Sequence, residues 1–313
     1  MTNIKNIEGF VEYVEEHLVS FLPDALKDAS VESRIITKNN GSILHGILVI
    51  LKDSNISPIF YAENFFDMLE EKGIDKVMEH IATVVAENIE TPETFCNVVE
   101  KFQDFDFVRN HVIMVAVNTK RNSKLLSNVP HYDKEDLSLI YKVMLGNIYG
   151  GLATITIRNE HLQFWGVTGE EIHEIAMKNS QELLPVTVQS MNTALMGMLP
   201  KDELPEEFVE ALLEDMPANQ QMYVVSNKEM KNGATSMFYD DALETLSEKI
   251  GTDLYILPSS IHEVIAVSTD LGTPETLSEI VREVNGTQVS EEEQLSDNVY
   301  YYSAATKDWT LAI

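Results

Sequence analysis

The chain has 313 residues, with 22 lysines and arginines against 51 aspartates and glutamates, which gives a formal net charge of −29 at neutral pH. An apolar share of 44% excludes an intrinsically disordered protein. The large negative charge argues against direct binding to nucleic-acid phosphates or anionic lipid. We expect one large domain or two modest ones, since a domain usually contains roughly 100–200 residues.

Cysteine usage and the absence of a targeting pattern favour a soluble cytosolic protein. Cys96 is the single cysteine, so no intrachain disulfide is expected. It lies in an apolar helical pattern and is expected to pack as a small hydrophobic residue. The first ten residues hold no basic stretch followed by an apolar run, so a secretory signal is not expected. The longest apolar runs, 46–51 and 112–117, are far shorter than the about 20 residues of a membrane span.

In the first part of the chain, the apolar pattern predicts helices and a short sheet. Apolar residues recur at helical spacing over 7–22 and 74–88, which predicts two amphipathic helices. Asn39-Asn40-Gly41 lies between two extended runs and predicts a β-hairpin, because Asn and Gly tolerate positive φ. The remaining predictions are strands over 31–37, 42–51, 58–61 and 111–118, and helices over 62–71 and from Thr91 onward.

The polar segment 119–130 is the best candidate for a linker, and it divides the chain into predicted domains 1–130 and 131–313. The second domain mixes strands and helices without regular β-α-β alternation. The predicted strands are 137–145, 152–157, 185–189, 222–226, 254–257, 261–268 and 299–303, and the predicted helices are 170–180, 240–250 and 274–285. This order predicts an α+β fold of mixed or antiparallel sheets with flanking helices.

The two predicted domains carry different charges. Residues 1–130 hold 12 basic and 20 acidic side chains, a net charge of −8, whereas residues 131–313 hold 10 and 31, a net charge of −21. The acidic residues of the second domain cluster at 203–215 and 291–293. The simpler interpretation is a solvated surface that keeps the protein soluble. The alternative is a mimic of the DNA backbone, which needs carboxylates in rows at phosphate spacing.

Known catalytic and nucleotide-binding motifs are not found. The sequence has no Gly-rich phosphate loop. His262-Glu263 is not followed by the second histidine of a zinc-protease helix, because Ala266 occupies that position. Glu170 and His173 have the spacing of half a di-iron carboxylate site, but the remaining ligands are not found. No cofactor and no metal are therefore expected.

One stretch, Pro258-Ser259-Ser260-Ile261-His262-Glu263, invites a catalytic interpretation because it combines hydroxyl, imidazole and carboxylate groups. If a strand begins near Ser260, side chains alternate between its two faces, and Glu263 points away from His262. Ser260 and His262 then share a face at about 6.6 Å, which is too far for a nucleophile–base hydrogen bond. The simpler interpretation is a turn in a buried hairpin, with His262 hydrogen-bonded in the core.

A succession of motifs occupies the segments 222–227, 233–234, 253–263, 281–285 and 295–302, with further motifs upstream at 58–63, 130–131 and 155–180. Together these motifs resemble a family of uncharacterised proteins that is abundant in gut Gram-positive bacteria and often lies on mobile or accessory genomic segments. The Pro-Ser-Ser-x-His-Glu signature is also similar, more distantly, to a second uncharacterised bacillary family. Where family members often have Leu-Thr-Asn, this chain has Val225-Ser226-Asn227, which preserves a strand followed by a turn. The resemblance implies no activity and no catalytic residue.

From these observations we expect a non-enzymatic binding or regulatory protein of the cytosol. Its expected partner is a basic protein rather than nucleic acid or membrane, and it is expected to need no cofactor. One alternative is a hydrolase or metal enzyme centred on Ser259, Ser260, His262 and Glu263, with His131 as a second imidazole that meets His262 in space. The other alternative is an acidic DNA mimic that acts against a restriction or defence enzyme.

Overall fold

A computed structural model describes residues 4–52, 57–89, 98–148, 151–198, 216–239 and 241–313. The chain divides into two compact units, Met1–Val98 and Val99–Ile313. Each unit combines helices with antiparallel sheets, which confirms the predicted α+β class. The predicted division at residue 130 falls inside the second unit. Cys96, the helix start at Thr91 and the acidic cluster 203–215 lie outside the described residues.

The first unit is a three-stranded antiparallel sheet with helices packed on one face. Its strands are β1 (Ser30–Thr37), β2 (Ile43–Ile50) and β3 (Ile59–Tyr61), which pair in the order β1-β2-β3. Its helices are α1 (Ile7–Phe21), α2 (Glu63–Phe66), α3 (Leu69–Lys72) and α4 (Ile74–Asn88).

One face of this sheet packs against the helices of the first unit. Ile47 and Val49 point to the same side and pack with Phe10 of α1 and Ile81 of α4 in one core. The predicted hairpin is confirmed, and Asn40 takes the expected left-handed conformation at its tip, with a φ of 59°.

In its described residues, the second unit contains two antiparallel sheets and a further set of helices. In the first sheet β6 (Leu137–Ile148) pairs with β4 (Val112–Asn118), β5 (His131–Lys134) and β7 (Gly151–Thr156). The second sheet has the order β13-β12-β10-β11-β9-β8, and its strands are β8 (Val186–Ser190), β9 (Met222–Asn227), β10 (Leu254–Leu257), β11 (Val264–Ser268), β12 (Tyr300–Ser303) and β13 (Asp308–Leu311). The helices are α5 (Val98–Gln103), α6 (Phe105–Val108), α7 (Ser123–Leu126), α8 (Asn159–Trp165), α9 (Gly169–Leu183), α10 (Met191–Met198), α11 (Ala242–Ile250) and α12 (Pro274–Thr287).

No helix within the described ranges combines the length and apolar character that a bilayer crossing requires.

Strand β4 is buried at every position, although among the described residues it pairs with a single strand, β6. Hydroxyl groups satisfy amides on its other edge. Ser180 Oγ on α9 accepts a hydrogen bond from Met114 N, and Thr235 Oγ1 on the 3-10 helix Gly233–Phe238 accepts one from Ala116 N, both at 2.9 Å. These two side chains allow an unpaired strand edge to lie in the core, because a buried N–H must find a partner.

The start of β11 differs from the sequence-based prediction. The strand begins at Val264, so the predicted start near Ser260 is wrong. Ser260 forms an isolated bridge with Gln294 instead, and 261–262 lie in a bend. The alternation of side chains expected for 260–263 therefore does not apply. The backbone of this stretch pairs with residues 293–296, which are remote in sequence. The periodicity of apolar residues cannot predict such a pairing.

We expect Thr235→Val to lower the free energy of unfolding by about 1–3 kcal/mol, because it leaves the buried Ala116 N–H without its acceptor. Chemical denaturation followed by circular dichroism measures this change. Thr310→Val, the same substitution at an exposed position of β13, is the matched control and should change stability by less than about 0.5 kcal/mol. Equal effects of the two substitutions would show that the Thr235 hydroxyl does not support the β4 edge.

Candidate functional site

The signature residues 258–263 connect β10 to β11 and lie against the segment 293–296. The carbonyl oxygens of Pro258 and Ser259 accept hydrogen bonds from the amides of Ser296 at 2.9 Å and Leu295 at 3.0 Å. The two segments therefore pair through their backbones, outside either sheet.

A second set of bonds ties the signature to Glu293, to β9 and to the chain that follows β9. Ile261 N donates to Glu293 O at 2.8 Å, and Ile261 O accepts from Ala234 N at 3.2 Å. Ser226 Oγ donates to His262 O at 2.7 Å. Motifs that are far apart in sequence thus meet around one loop.

The Ser260 hydroxyl and the His262 imidazole are both committed to backbone amides. Ser260 Oγ accepts from His262 N at 3.0 Å, and His262 Nδ1 accepts from Asn232 N at 3.3 Å. Because an amide can only donate, Nδ1 carries the lone pair and the ring proton lies on Nε2. Nε2 faces Glu293 Oε1 at 3.3 Å. In this arrangement the imidazole has no lone pair left to accept a proton from a hydroxyl.

The other predicted site residues have separate surroundings. Glu293, rather than Glu263, is the carboxylate beside His262, whose side chain is 24% exposed rather than enclosed in the core. His131 Nδ1 donates to Val129 O at 3.0 Å, and its Nε2 lies 3.8 Å from Asp133 Oδ2. The two imidazoles therefore bond to different partners. Among the residues that the structure describes, no group of three or more His, Cys, Asp or Glu side chains is arranged to hold a metal ion.

Arg121 forms a polar cluster that the sequence did not predict, although it lies in the proposed linker. Its Nη2 lies 2.5 Å from Asp297 Oδ2, and its Nη1 donates to Gln294 Oε1 at 2.7 Å. Asn285 Nδ2 donates to Asp297 Oδ1 at 2.7 Å and to Ser296 O at 3.0 Å. The segment 293–298 is therefore held from α12 and from the residues after β4.

Asp136 holds the same segment from the turn between β5 and β6. Its carboxylate accepts hydrogen bonds from Ser296 Oγ at 2.7 Å and Asn298 Nδ2 at 3.0 Å, and from the hydroxyl of Tyr300. Burial raises the pKa of Tyr300 far above its usual range, and the nearby Asp136 carboxylate adds to this shift. Tyr300 therefore acts here as a neutral hydrogen-bond donor.

Glu170 and His173 on α9 do not belong to a di-iron site among the described residues. The His173 ring stacks on Tyr132 with centroids 4.7 Å apart, and its Nδ1 lies 2.9 Å from the Tyr141 hydroxyl. Burial lowers the pKa of His173. An open groove follows the same helix, and its lining residues are His173, Glu174, Met177, Lys178, Gln181 and Glu182.

His45 and Glu63 form a second imidazole–carboxylate pair, in the first unit, that sequence reasoning missed. His45 Nδ1 lies 2.8 Å from Glu63 Oε1, and His45 N also donates to this carboxylate. The pair joins β2 to the start of α2. The sequence does not reveal this contact, because 18 positions separate the two residues and they meet only in the folded chain.

We expect Gly233→Ala to destabilise the protein by several kcal/mol, on the scale of severe overpacking in a core. An added Cβ would lie 2.0 Å from Ser226 Oγ and 2.5 Å from His262 O, so it would break the bond between these two atoms. Thermal and urea unfolding measure the effect.

Gly286→Ala is the matched control for this substitution. No atom lies within 4 Å of a Cβ added at Gly286 in α12, so alanine should be neutral or stabilising there. A Gly233→Ala variant as stable as the control would contradict the close packing around the signature.

We expect the stability of the protein to decrease in mild acid partly because of His173. Burial lowers the pKa of this imidazole from 6.5, so the folded state favours the neutral ring. The stability that His173 contributes is present above about pH 6.5 and is lost as the pH falls through the lower, folded-state pKa. Urea denaturation between about pH 8 and pH 5 measures this loss, and His173→Gln should reduce its slope. An unchanged slope in the variant would contradict the assignment.

A model of a family of unknown function, DUF5688, matches residues 7–304. No curated protein and no solved structure matches the chain. The match includes the signature loop, its partner segment 293–298 and the residues that hold both. The chain therefore belongs to DUF5688, a family of unknown function.

Proposed function

We propose that this protein is a non-enzymatic binding or regulatory module of the cytosol. The commitment of His262 Nδ1 to the Asn232 amide supports this proposal most directly. A hydrolase needs a base whose lone pair faces the nucleophile within about 2.6–3.2 Å. Here the lone pair of the imidazole faces an amide, and the Ser260 hydroxyl faces the backbone of His262.

Charge favours a basic protein as the partner. Residues 131–313 hold 31 acidic side chains and only 10 basic ones, so ion pairs within this region cannot neutralise it. An acidic surface accelerates encounters with a basic partner and repels nucleic acid and anionic membranes. This preference should weaken as salt is added.

We further propose that the family is centred on gut Gram-positive bacteria, with Pro-Ser-Ser-x-His-Glu as its signature. The bonds of the Ser260 and His262 side chains to backbone amides give a physical reason to retain these two residue types without catalysis. A role tied to accessory or mobile genomic segments agrees with a regulatory module.

We expect His262→Ala to lower the free energy of unfolding by about 1–3 kcal/mol, because the Asn232 amide loses its acceptor. Chromogenic carboxylic and phosphoric esters should be hydrolysed at the background rate by both the wild-type protein and the variant. Hydrolysis by the wild type that a folded His262→Ala protein loses would overturn the proposal in favour of a hydrolase.

A second arm of this experiment addresses the DNA mimic. The purified protein is added to a complex of duplex DNA with a restriction enzyme, and DNA binding is followed by fluorescence anisotropy. We expect no competition. Stoichiometric, salt-sensitive displacement of the DNA would favour the mimic over a regulatory module.

A further inference from the structure

The loop after β9, residues 228–232, has a backbone conformation that needs external support. Met230 and Asn232 both lie in the left-handed region, with φ values of 54° and 52°. Residues other than glycine seldom adopt this region, and they remain there only where surrounding bonds hold them.

Most of the bonds that hold this loop come from Asn227, at the end of β9. Asn227 Oδ1 accepts from Glu229 N at 3.0 Å, and Asn227 Nδ2 donates to Lys231 O at 2.8 Å. The amide of Asn232 instead leaves the loop and donates to His262 Nδ1. This bond joins the second left-handed residue directly to the signature.

A neutral imidazole can hold the Asn232 amide, and a protonated one cannot. When both ring nitrogens carry hydrogen, each is a donor, and Nδ1–H would oppose the Asn232 N–H. We propose that His262 is a proton-sensitive latch, in which proton uptake at Nδ1 breaks the bond to Asn232 and releases the loop 228–232. This inference does not depend on the proposed function.

Charged groups lie on each segment that contacts the ring. Glu293 Oε1 lies 3.3 Å from Nε2, while Nδ1 faces the Asn232 amide. The ionisable groups carried by the segments that contact His262 are Lys228, Glu229, Lys231, Glu263, Glu291, Glu292 and Glu293.

Hydrogen–deuterium exchange of the full-length protein, read by mass spectrometry over 228–234, tests the latch. Between about pH 8 and pH 5, the range in which imidazoles titrate, exchange corrected for its intrinsic rate should rise about three- to tenfold, as expected for the loss of one hydrogen bond. Glu293→Gln should move this rise to lower pH, because the amide does not stabilise the protonated ring. No rise in the wild type would overturn the proposal.

His262→Asn separates the latch from general acid destabilisation. The Asn side chain can present an oxygen near the position of Nδ1 but cannot be protonated, so the exchange of 228–234 should become independent of pH. His131→Asn is the matched control at an exposed histidine of the same unit, and it should retain the wild-type response. The same pH response in the His262→Asn and wild-type proteins would also overturn the proposal. If His262→Asn does not fold, the wild-type and Glu293→Gln profiles still decide.

Discussion

The backbone pairing of the signature loop with 293–296 is the interaction on which the rest of the second unit depends. The two segments lie outside both sheets, so their backbones pair with each other rather than with a strand of either sheet. Side chains from four other parts of the chain fix this pairing in place: Asn118, Asp136, Ser226 and Asn285. Asn118 ends β4 and Ser226 lies in β9, so the pairing connects the two sheets through buried polar contacts.

Hydroxyl and imidazole side chains, which often have catalytic roles in enzymes, have structural roles in this network. A buried amide or carbonyl without a partner is costly, and hydroxyl, amide and imidazole groups are suitable partners for it. Ser180 and Thr235 support the edge of β4, whereas Ser260 supports an amide of its own loop and His262 supports the Asn232 amide of the loop 228–232. The same need explains why a stretch rich in serine and histidine can be strongly constrained without a catalytic role.

Sequence reasoning predicted elements with strong periodicity and failed where pairing was remote. Helices α1, α4 and α12, and the hairpin β1–β2, lie close to their predicted bounds because local spacing decides them. Strand β5 was missed because its exposed polar residues lack the apolar alternation of a strand, although it pairs with the neighbouring strand β6. The 3-10 helix Gly233–Phe238 was missed because remote contacts hold it, such as those of Thr235 with β4 and of Ala234 with Ile261. The site shows the same division: the stretch 258–263 was recognised, but Arg121, Asn232 and Glu293 were not.

The sequence by itself determined the α+β class, the acidic character and family membership, because composition, periodicity and motif identity are local properties of the chain. Only the tertiary structure decided which polar groups meet. The lone pair of His262 faces Asn232, 30 positions away, and its ring proton faces Glu293, 31 positions away. Hydrogen bonds act over about 3 Å in space, whatever the separation along the chain. The tautomer of that imidazole, and with it the difference between a base and a structural acceptor, therefore depends on the fold.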